Sequence, residues 1–317
     1  IITETNVPHE ENVSYFGDGH NEAHMVYNFS LPPLVLDAVL REDTGHLTEW
    51  AASLERPSDE VTFFNFLASH DGIGLLPARG YLTEEQIEAM MKTVFERGGR
   101  ISYKSTPDGE IPYEMNINYL SAVTDPNLPT EQRARAFLAS QSIMLAMAGV
   151  PGVYVHSLVG STNWEEAVEQ TGVNRSINRE KFDYVTLMDE LTTEGSLRNA
   201  VFEDVRPTLP ARTSEPAFHP ASAQKVLEAG ERVFAVLRGD TGAVTAEVGA
   251  EAHPSDEGPE RGPAAPVLCL CNVSARDAEC RFRRDDVGSP GENTFRELIT
   301  DDVFFPHWEK GKEGEFS

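Results

Sequence analysis

Three short apolar runs constrain the fold of this chain more than any other feature. They are His24–Phe29 (HMVYNF), Val61–Leu67 (VTFFNFL) and Gly152–His156 (GVYVH). None alternates cleanly between apolar and polar residues. A strand that is apolar on both faces must be covered on both, which is the condition of a parallel sheet. Helical patterns lie between the runs. Thr83-Glu84-Glu85-Gln86 has the capping-box sequence, and Ile87, Met90, Met91, Val94 and Phe95 follow at helical spacing up to Gly98-Gly99. Thr130 opens a second helix carrying Phe137, Leu138, Ile143, Met144 and Leu145, and Thr162-Asn163-Trp164-Glu165 is a further capping box. Ile1–Thr5 reads as a short first strand. This alternation, up to about residue 215, predicts an α/β sheet or barrel.

The texture changes after residue 216. Arg232–Arg238, Val267–Val273 and Cys280–Arg283 have the pattern of antiparallel strands, so residues 216–317 are expected to form a small β domain. Residues 239–266 are rich in Gly, Ala, Pro and Glu and are expected to form a mobile acidic loop. Cys269 and Cys271 alternate on one strand and point to one face, which suits packing better than a disulfide. Three cysteines, an odd and low number, suggest a reducing, cytoplasmic setting. No secretory leader pattern is visible.

Charge narrows the partners. The chain holds 26 Lys+Arg against 52 Asp+Glu, a formal net charge of −26. Such a surface repels the phosphate backbone, so no nucleic-acid partner is expected. No apolar run is long enough for a membrane helix, so no membrane partner is expected either. With 6 Lys and 20 Arg, the balance also suits a strongly hydrated surface in a salty setting.

Two carboxylates follow strands. Glu4 ends the first run, and His70-Asp71 follows the Val61–Leu67 run, with Gly72 allowing a turn. In a parallel barrel, groups at the C-terminal ends of strands gather at one mouth. Carboxylates there can act as acid, base or nucleophile. By spacing alone, the same acids also read as helix caps or loop ion pairs.

Longer motifs add a resemblance. Asn65-Phe66-Leu67-Ala68-Ser69-His70-Asp71-Gly72-Ile73-Gly74 resembles the His-Asp motif after the seventh barrel strand of the α-amylase-type glycoside hydrolases (family 13). Ile1–His9 (IITETNVPH) is similar to that family's fifth-strand motif. Pro112–Tyr119 (PYEMNINY), Gly149–Tyr154 (GVPGVY) and Arg175-Ser176-Ile177-Asn178-Arg179 resemble the sucrose phosphorylase subfamily. That branch includes phosphorylases of sucrose, sucrose 6'-phosphate, glucosylglycerate and glucosylglycerol. The resemblance covers most of residues 1–238.

It implies an α/β fold: residues 1–215 as strands five to eight of a (β/α)8 TIM barrel, followed by a small antiparallel β-sandwich. It implies a retaining α-glucoside phosphorylase that transfers glucosyl through a covalent intermediate to inorganic phosphate, giving α-glucose 1-phosphate. Glu4 would be the acid/base and Asp71 the third carboxylate, holding glucose hydroxyls. His70 would bind the same sugar, and Arg175 would sit near sugar or phosphate. Tyr113 and Asn116 would belong to the acceptor-binding loop, and His156, after the eighth strand, would line the pocket. Phosphate would be a co-substrate, with no cofactor and no metal. The partners would be the small-molecule α-glucoside and phosphate, and the oligomeric state is left open.

Two departures matter. Ile111 stands before Pro112, where sucrose phosphorylase has an acid, so sucrose itself is in doubt as substrate. The family's nucleophilic Asp, within a Gly-x-Arg-x-Asp-Ala pattern, has no counterpart here. The expectation is therefore the C-terminal part of a longer enzyme, inactive alone. A hydrolase or transglucosidase of the same chemistry, or a non-catalytic carbohydrate-binding fragment, stands as the alternative.

Other residues have plainer readings. Glu10 and Glu11 fall beyond the first strand and suit a helix start. His9, His20 and His24 lie near Asp18 and Glu22 without the regular spacing of metal ligands. Trp50 and Trp164 fit helix cores. Arg79, Arg100 and Lys104 could bind an anionic acceptor or be solvated surface charges.

Overall fold

The computed structural model describes residues 1–107, 109–239, 265–283, 286–287, 295–300, 302–304 and 315–316. Nearly all of the expected 239–266 loop and most of the acidic tail lie outside the described residues. Strand β1 (Ile2–Thr3) leads through α1 (His9–Ser14) to β2 (Met25–Tyr27). Helices α2 (Leu31–Arg41) and α3 (Gly45–Ala52) connect β2 to β3 (Thr62–Phe66). Next come β4 (Ile73–Gly74), α4 (Glu84–Glu96) and the hairpin of β5 (Arg100–Thr106) and β6 (Gly109–Asn116). Helices α5 (Tyr119–Val123) and α6 (Thr130–Ala146) return the chain to β7 (Val150–Gly152).

Strands β1, β2, β3 and β7 form one parallel sheet in that order. Met25 lies beside Ile2, Phe63 beside Val26, and Val150 beside Phe64. Side chains alternate across a strand, so Val26 and Phe63 share one face. They pack there with Phe16, Ala23 and Val61. Tyr27, Phe29, Phe64 and Phe66 form an aromatic cluster on the other face. Ring centroids lie 4.6 Å apart for Tyr27–Phe64 and 5.1 Å apart for Phe29–Phe66. Gly152 makes room for that cluster, because a Cβ there would sit 2.3 Å from the Phe64 ring.

A buried polar tie crosses the sheet. The Asn65 amide donates to the Ala148 carbonyl at 2.9 Å, and the Asn28 amide donates to Asn65 Oδ1 at 3.0 Å. Both asparagines are fully buried. Strands of a parallel sheet can slip, and a tie at one register fixes their ends in line.

Five helices follow β7: α7 (Val155–Leu158), α8 (Glu165–Thr171), α9 (Tyr184–Thr192), α10 (Leu197–Val205) and α11 (Thr208–Ser214). Then β8 (Gln224–Leu227), β9 (Val233–Arg238) and β10 (Val267–Asn272) form an antiparallel sheet in the order β10-β9-β8. Two further strand pairs, Phe282–Arg283 with Glu315–Phe316 and Phe295–Arg296 with Val303–Phe304, lie near the end. Strand β9 is buried along its length. Phe234, Val236 and Cys271 join the core that holds Leu34, Trp50 and Phe137. The other face of β9 packs with Phe282 and Val287. Cys269, Cys271 and Cys280 are free thiols.

Arg238 on β9 joins this sheet to the parallel-sheet unit, and Arg212 on α11 binds the same region. Arg238 is fully buried and donates to the carbonyls of Ala146 (3.0 Å) and His219 (3.1 Å). Arg212 donates to Leu145 (2.9 Å) and Gly149 (3.1 Å). The Leu145 and Ala146 carbonyls lie at the C-terminal end of α6, where the helix dipole favours a cation. Burial still pushes the Arg238 guanidinium down to about 10.

Several expectations need correction. The third apolar run is not one strand. The sheet takes Val150–Gly152, and Val155 and His156 start a helix with Tyr154 as its extended N-cap. The Thr162 capping box does not form; α8 begins at Glu165, with Trp164, not a core residue, as its N-cap. Asn163 is held elsewhere. Its Oδ1 accepts from the Asn118 amide at 2.8 Å and its Nδ2 donates to the Arg97 carbonyl at 3.0 Å. Tyr113 and Asn116 lie on strand β6 rather than on a loop. The Thr83 capping box does form, with Gln86 Oε1 accepting from the Thr83 amide at 2.8 Å. Trp50 is fully buried.

Asn65→Ala would orphan the buried Asn28 amide and the Ala148 carbonyl. It is expected to cost about 1–3 kcal/mol of stability. Urea denaturation checks this, and an unchanged midpoint would remove the tie from the account of the sheet.

Candidate active site

Parallel strands end on one edge, so the residues after β1, β2, β3 and β7 emerge together. Glu4 follows β1 and is exposed. Its charge reaches Tyr27 at the end of β2, whose hydroxyl is raised first by burial and then by Glu4. Asp71 follows β3. Strands β1 and β3 are separated by one strand, which sets their ends roughly 10 Å apart. None of the ion pairs of Asp71 involves Glu4.

Asp71 is the hub of a charged cluster. Its Oδ1 lies 2.9 Å from Arg175 Nη1, 3.1 Å from Arg179 Nη2 and 3.6 Å from His70 Nε2. Arg175 forks onto Glu114, with Nε 3.1 Å from Oε1 and Nη2 2.6 Å from Oε2. Hydrogen bonding to Glu114 is the main cause that raises the Arg175 guanidinium further. The Arg179 Nε donates to the His70 carbonyl at 2.8 Å, and the Asn178 amide donates to the Asp71 carbonyl at 2.9 Å. Arg175 and Asn178 sit on one short 3-10 turn, Asn174–Asn178. A tight turn sets side chains three apart on one side, which brings both to the Asp71 segment.

Tyr113 and Glu114 are neighbours on β6. The Tyr113 ring carries Lys104 Nζ 5.9 Å from its centroid. Asn116 is buried and donates to Ser102 Oγ at 2.8 Å, while the Asn174 amide donates to the same oxygen at 3.2 Å. Tyr154 donates its hydroxyl to the Asn178 carbonyl at 2.9 Å. His156 lies behind Tyr154, with ring centroids 4.8 Å apart, and Phe182 packs on its other side at 4.7 Å. A small recess beside Asp71 is lined by Ser69, Ile117, Tyr119, Tyr154 and Asn178.

His70, Asp71 and Arg175 thus meet in one cluster, and Tyr113 lies close enough for its charge to act on Arg175. Asn116 joins through Ser102, and His156 is one ring removed. Glu4 stands on the same sheet edge, two strands away. Sequence reasoning assigned no role to Glu114, Arg179, Asn178 or Tyr154. Arg179 was findable as a second arginine four residues after Arg175. Glu114, an acid beside Met115 at the apolar end of a strand, was the other usable signal.

The histidines near the N-terminus have separate partners. His9 packs among Trp50, Phe63 and Tyr81 at 6.2–6.3 Å, and burial lowers its pKa. His20 pairs with Glu60 at 3.2 Å, and His24 meets the N-terminal amine at 2.8 Å. Among the described residues, no group of three or more His, Cys, Asp or Glu side chains could hold a metal. No helix among them is long and apolar enough to cross a membrane. Arg79 pairs with Glu84 at 3.8 Å, and Arg100 donates to the Gly98 carbonyl at 2.7 Å.

The fold accords with the comparisons: the chain is similar in sequence to proteins named as bacterial glucoside phosphorylases. It is 52% identical over 312 residues, 98% of its length, to a protein named glucosylglycerate phosphorylase from Spirochaeta thermophila. It is 45% identical over 221 residues to the glucosylglycerate phosphorylase of Escherichia coli, 69% of this chain and 40% of that protein. It is 30% identical over 204 residues to a sucrose 6(F)-phosphate phosphorylase from Ilumatobacter coccineus, 61% of this chain and 36% of that protein. The chain spans about half the length of the curated relatives it matches, 49% in the first case. The crystal structure of sucrose 6F-phosphate phosphorylase from Thermoanaerobacter thermosaccharolyticum matches the fold with a TM-score of 0.63 at 20% identity. That match covers 75% of this chain and 45% of that one. No family model matches the chain.

His156 gives a pH test. Burial is the main cause that lowers it from 6.5, with Arg198 acting in the same direction and Glu180 against it. When pH falls through the unfolded value, the unfolded chain takes up a proton that the folded chain resists. Stability therefore falls on acidification below about pH 6.5. Melting temperature is expected to drop between about pH 7.5 and about pH 5.5. His156→Gln should flatten that drop in part, with His9 carrying the rest.

Proposed function

We propose that this chain forms strands five to eight of a (β/α)8 barrel, with its C-terminal β domain, in a retaining α-glucoside phosphorylase. The substrate class is an α-glucoside of a small hydroxy compound, with glucosylglycerate first. The observation that carries this is 52% identity to a glucosylglycerate phosphorylase across 98% of the chain. The placement of Glu4 and Asp71 after parallel strands β1 and β3 of one sheet supports it.

In this reading Glu4 protonates the leaving oxygen of the glucoside. It then takes a proton from the incoming phosphate as the glucosyl group is transferred. Asp71 and His70 hold glucose hydroxyls and favour the oxocarbenium-like transition state. The covalent nucleophile comes from a part of the whole protein outside these residues. Arg175 and Arg179 supply positive charge beside the sugar and phosphate, where forked donors suit oxyanions. Tyr113 and Asn116 border the acceptor side, and His156 backs the pocket through Tyr154. The chemistry needs inorganic phosphate as co-substrate and no cofactor, and a cytoplasmic site supplies that phosphate.

The test uses the whole protein that carries this chain. Glucosylglycerate, glucosylglycerol, sucrose and sucrose 6'-phosphate are each supplied with inorganic phosphate, and α-glucose 1-phosphate is measured. Release is expected from glucosylglycerate foremost. Glu4→Gln should lower kcat by about 10²–10⁴-fold. Release of free glucose alone, in phosphate buffer, would make the protein a hydrolase and end the proposal.

A further inference from the structure

Glu114 has no part in the chemistry proposed above, yet among the described residues it is one of the most deeply buried acids, with 3% of its surface exposed. A buried carboxylate is costly unless its charge and lone pairs are matched. Here Arg175 matches both oxygens with a two-point fork. That fork uses Nε and Nη2 and leaves Nη1, which reaches Asp71 Oδ1 at 2.9 Å. The backbone is shaped for this contact. A Cβ on Gly72 would sit 2.8 Å from Glu114 Cγ and 2.5 Å from the Met115 carbonyl, so only glycine lets β6 lie this close to Asp71.

The ion pairs of Asp71 all converge on one oxygen. Arg175, Arg179 and His70 all lie nearest Oδ1. Among the described residues, Oδ2 accepts no hydrogen bond, while Oδ1 accepts one from Arg179. Guanidinium forks bind carboxylates in two-point fashion by preference. If the Arg175 fork were not held by Glu114, it would close on both oxygens of Asp71 and occupy Oδ2.

We propose that Glu114 is a positioning residue for Asp71: by holding the Arg175 fork, it limits that arginine to a single ion-pair contact on Oδ1 and keeps Oδ2 for a sugar hydroxyl. This rests on the reading of Asp71 as a glucosyl-binding carboxylate.

The experiment compares Glu114→Gln, Arg175→Lys and the double variant in the whole protein. Gln keeps the size and one acceptor but loses the charge, and Lys has no fork. E114Q should lower kcat/KM for phosphorolysis by about 10–100-fold, the usual range for residues that orient a functional group. With Lys at 175, E114Q should add no further loss, because no fork remains to be misdirected. Melting temperatures of all three report folding. Multiplicative losses in the double variant, or wild-type kinetics in a folded E114Q, would overturn the proposal.

A second readout does not depend on turnover. In protein labelled with 15N-arginine, the Arg175 Nε–H resonance is identified by its loss in R175K. It should shift in E114Q and stay in place in Asp71→Asn, since Nε is bonded to Glu114. A shift in D71N with none in E114Q would overturn the anchoring order. If the wild-type whole protein shows no phosphorolysis, the functional reading fails, and this resonance still decides whether Glu114 or Asp71 holds the fork.

Discussion

Parallel pairing through β3 is the constraint on which the rest of the structure depends. It brings the ends of β1, β2 and β7 to the same edge as the end of β3. The Asn28–Asn65–Ala148 tie fixes that alignment inside the sheet. Gly152 and the aromatic cluster fill one face, and Phe16, Val26 and Phe63 fill the other. Glu4 and Asp71 share an edge only because the strands before them run the same way. A one-residue slip would turn each strand's buried set to the wrong face.

The charged cluster is built on that edge from three separate segments. Asp71 comes from the strand end, Glu114 from β6, and Arg175 from the turn after α8. Two acids and two arginines balance in charge, so the half-buried group holds no uncompensated ion. Arg175 is the link, because its fork binds Glu114 while its remaining nitrogen binds Asp71. Arg179 closes the cluster from the other side and also holds the His70 backbone. The chain's net charge of −26 is compatible with this local concentration of guanidinium.

The C-terminal sheet is joined to this unit rather than tethered beside it. One face of β9 belongs to the core of α2, α3 and α6. Arg238 and Arg212 satisfy carbonyls at the end of α6 with side chains instead of a glycine cap. Residues 216–238 therefore help to hold α6, and through α6 the approach to β7.

What the sequence determined by itself was the local order. Apolar runs set β2 and β3, the Thr83 capping box set α4, and the antiparallel pattern set β9 and β10. The motif around His70 and Asp71 pointed to the chemistry. These features are short-range: periodicity, caps and turns are written within a few residues. The β5–β6 hairpin was not legible, and neither was the displaced strand at Val150–Gly152. The hairpin strands carry polar, partly exposed residues without clean alternation, and Val150–Gly152 is set by its pairing with β3, far back in the chain. Tertiary structure alone decided that Glu114 would meet Arg175, 61 residues away, and that Arg175 would meet Asp71. Long-range charge pairing leaves no periodic trace. It depends on which side chains the fold removes from water, and only the folded chain sets that burial.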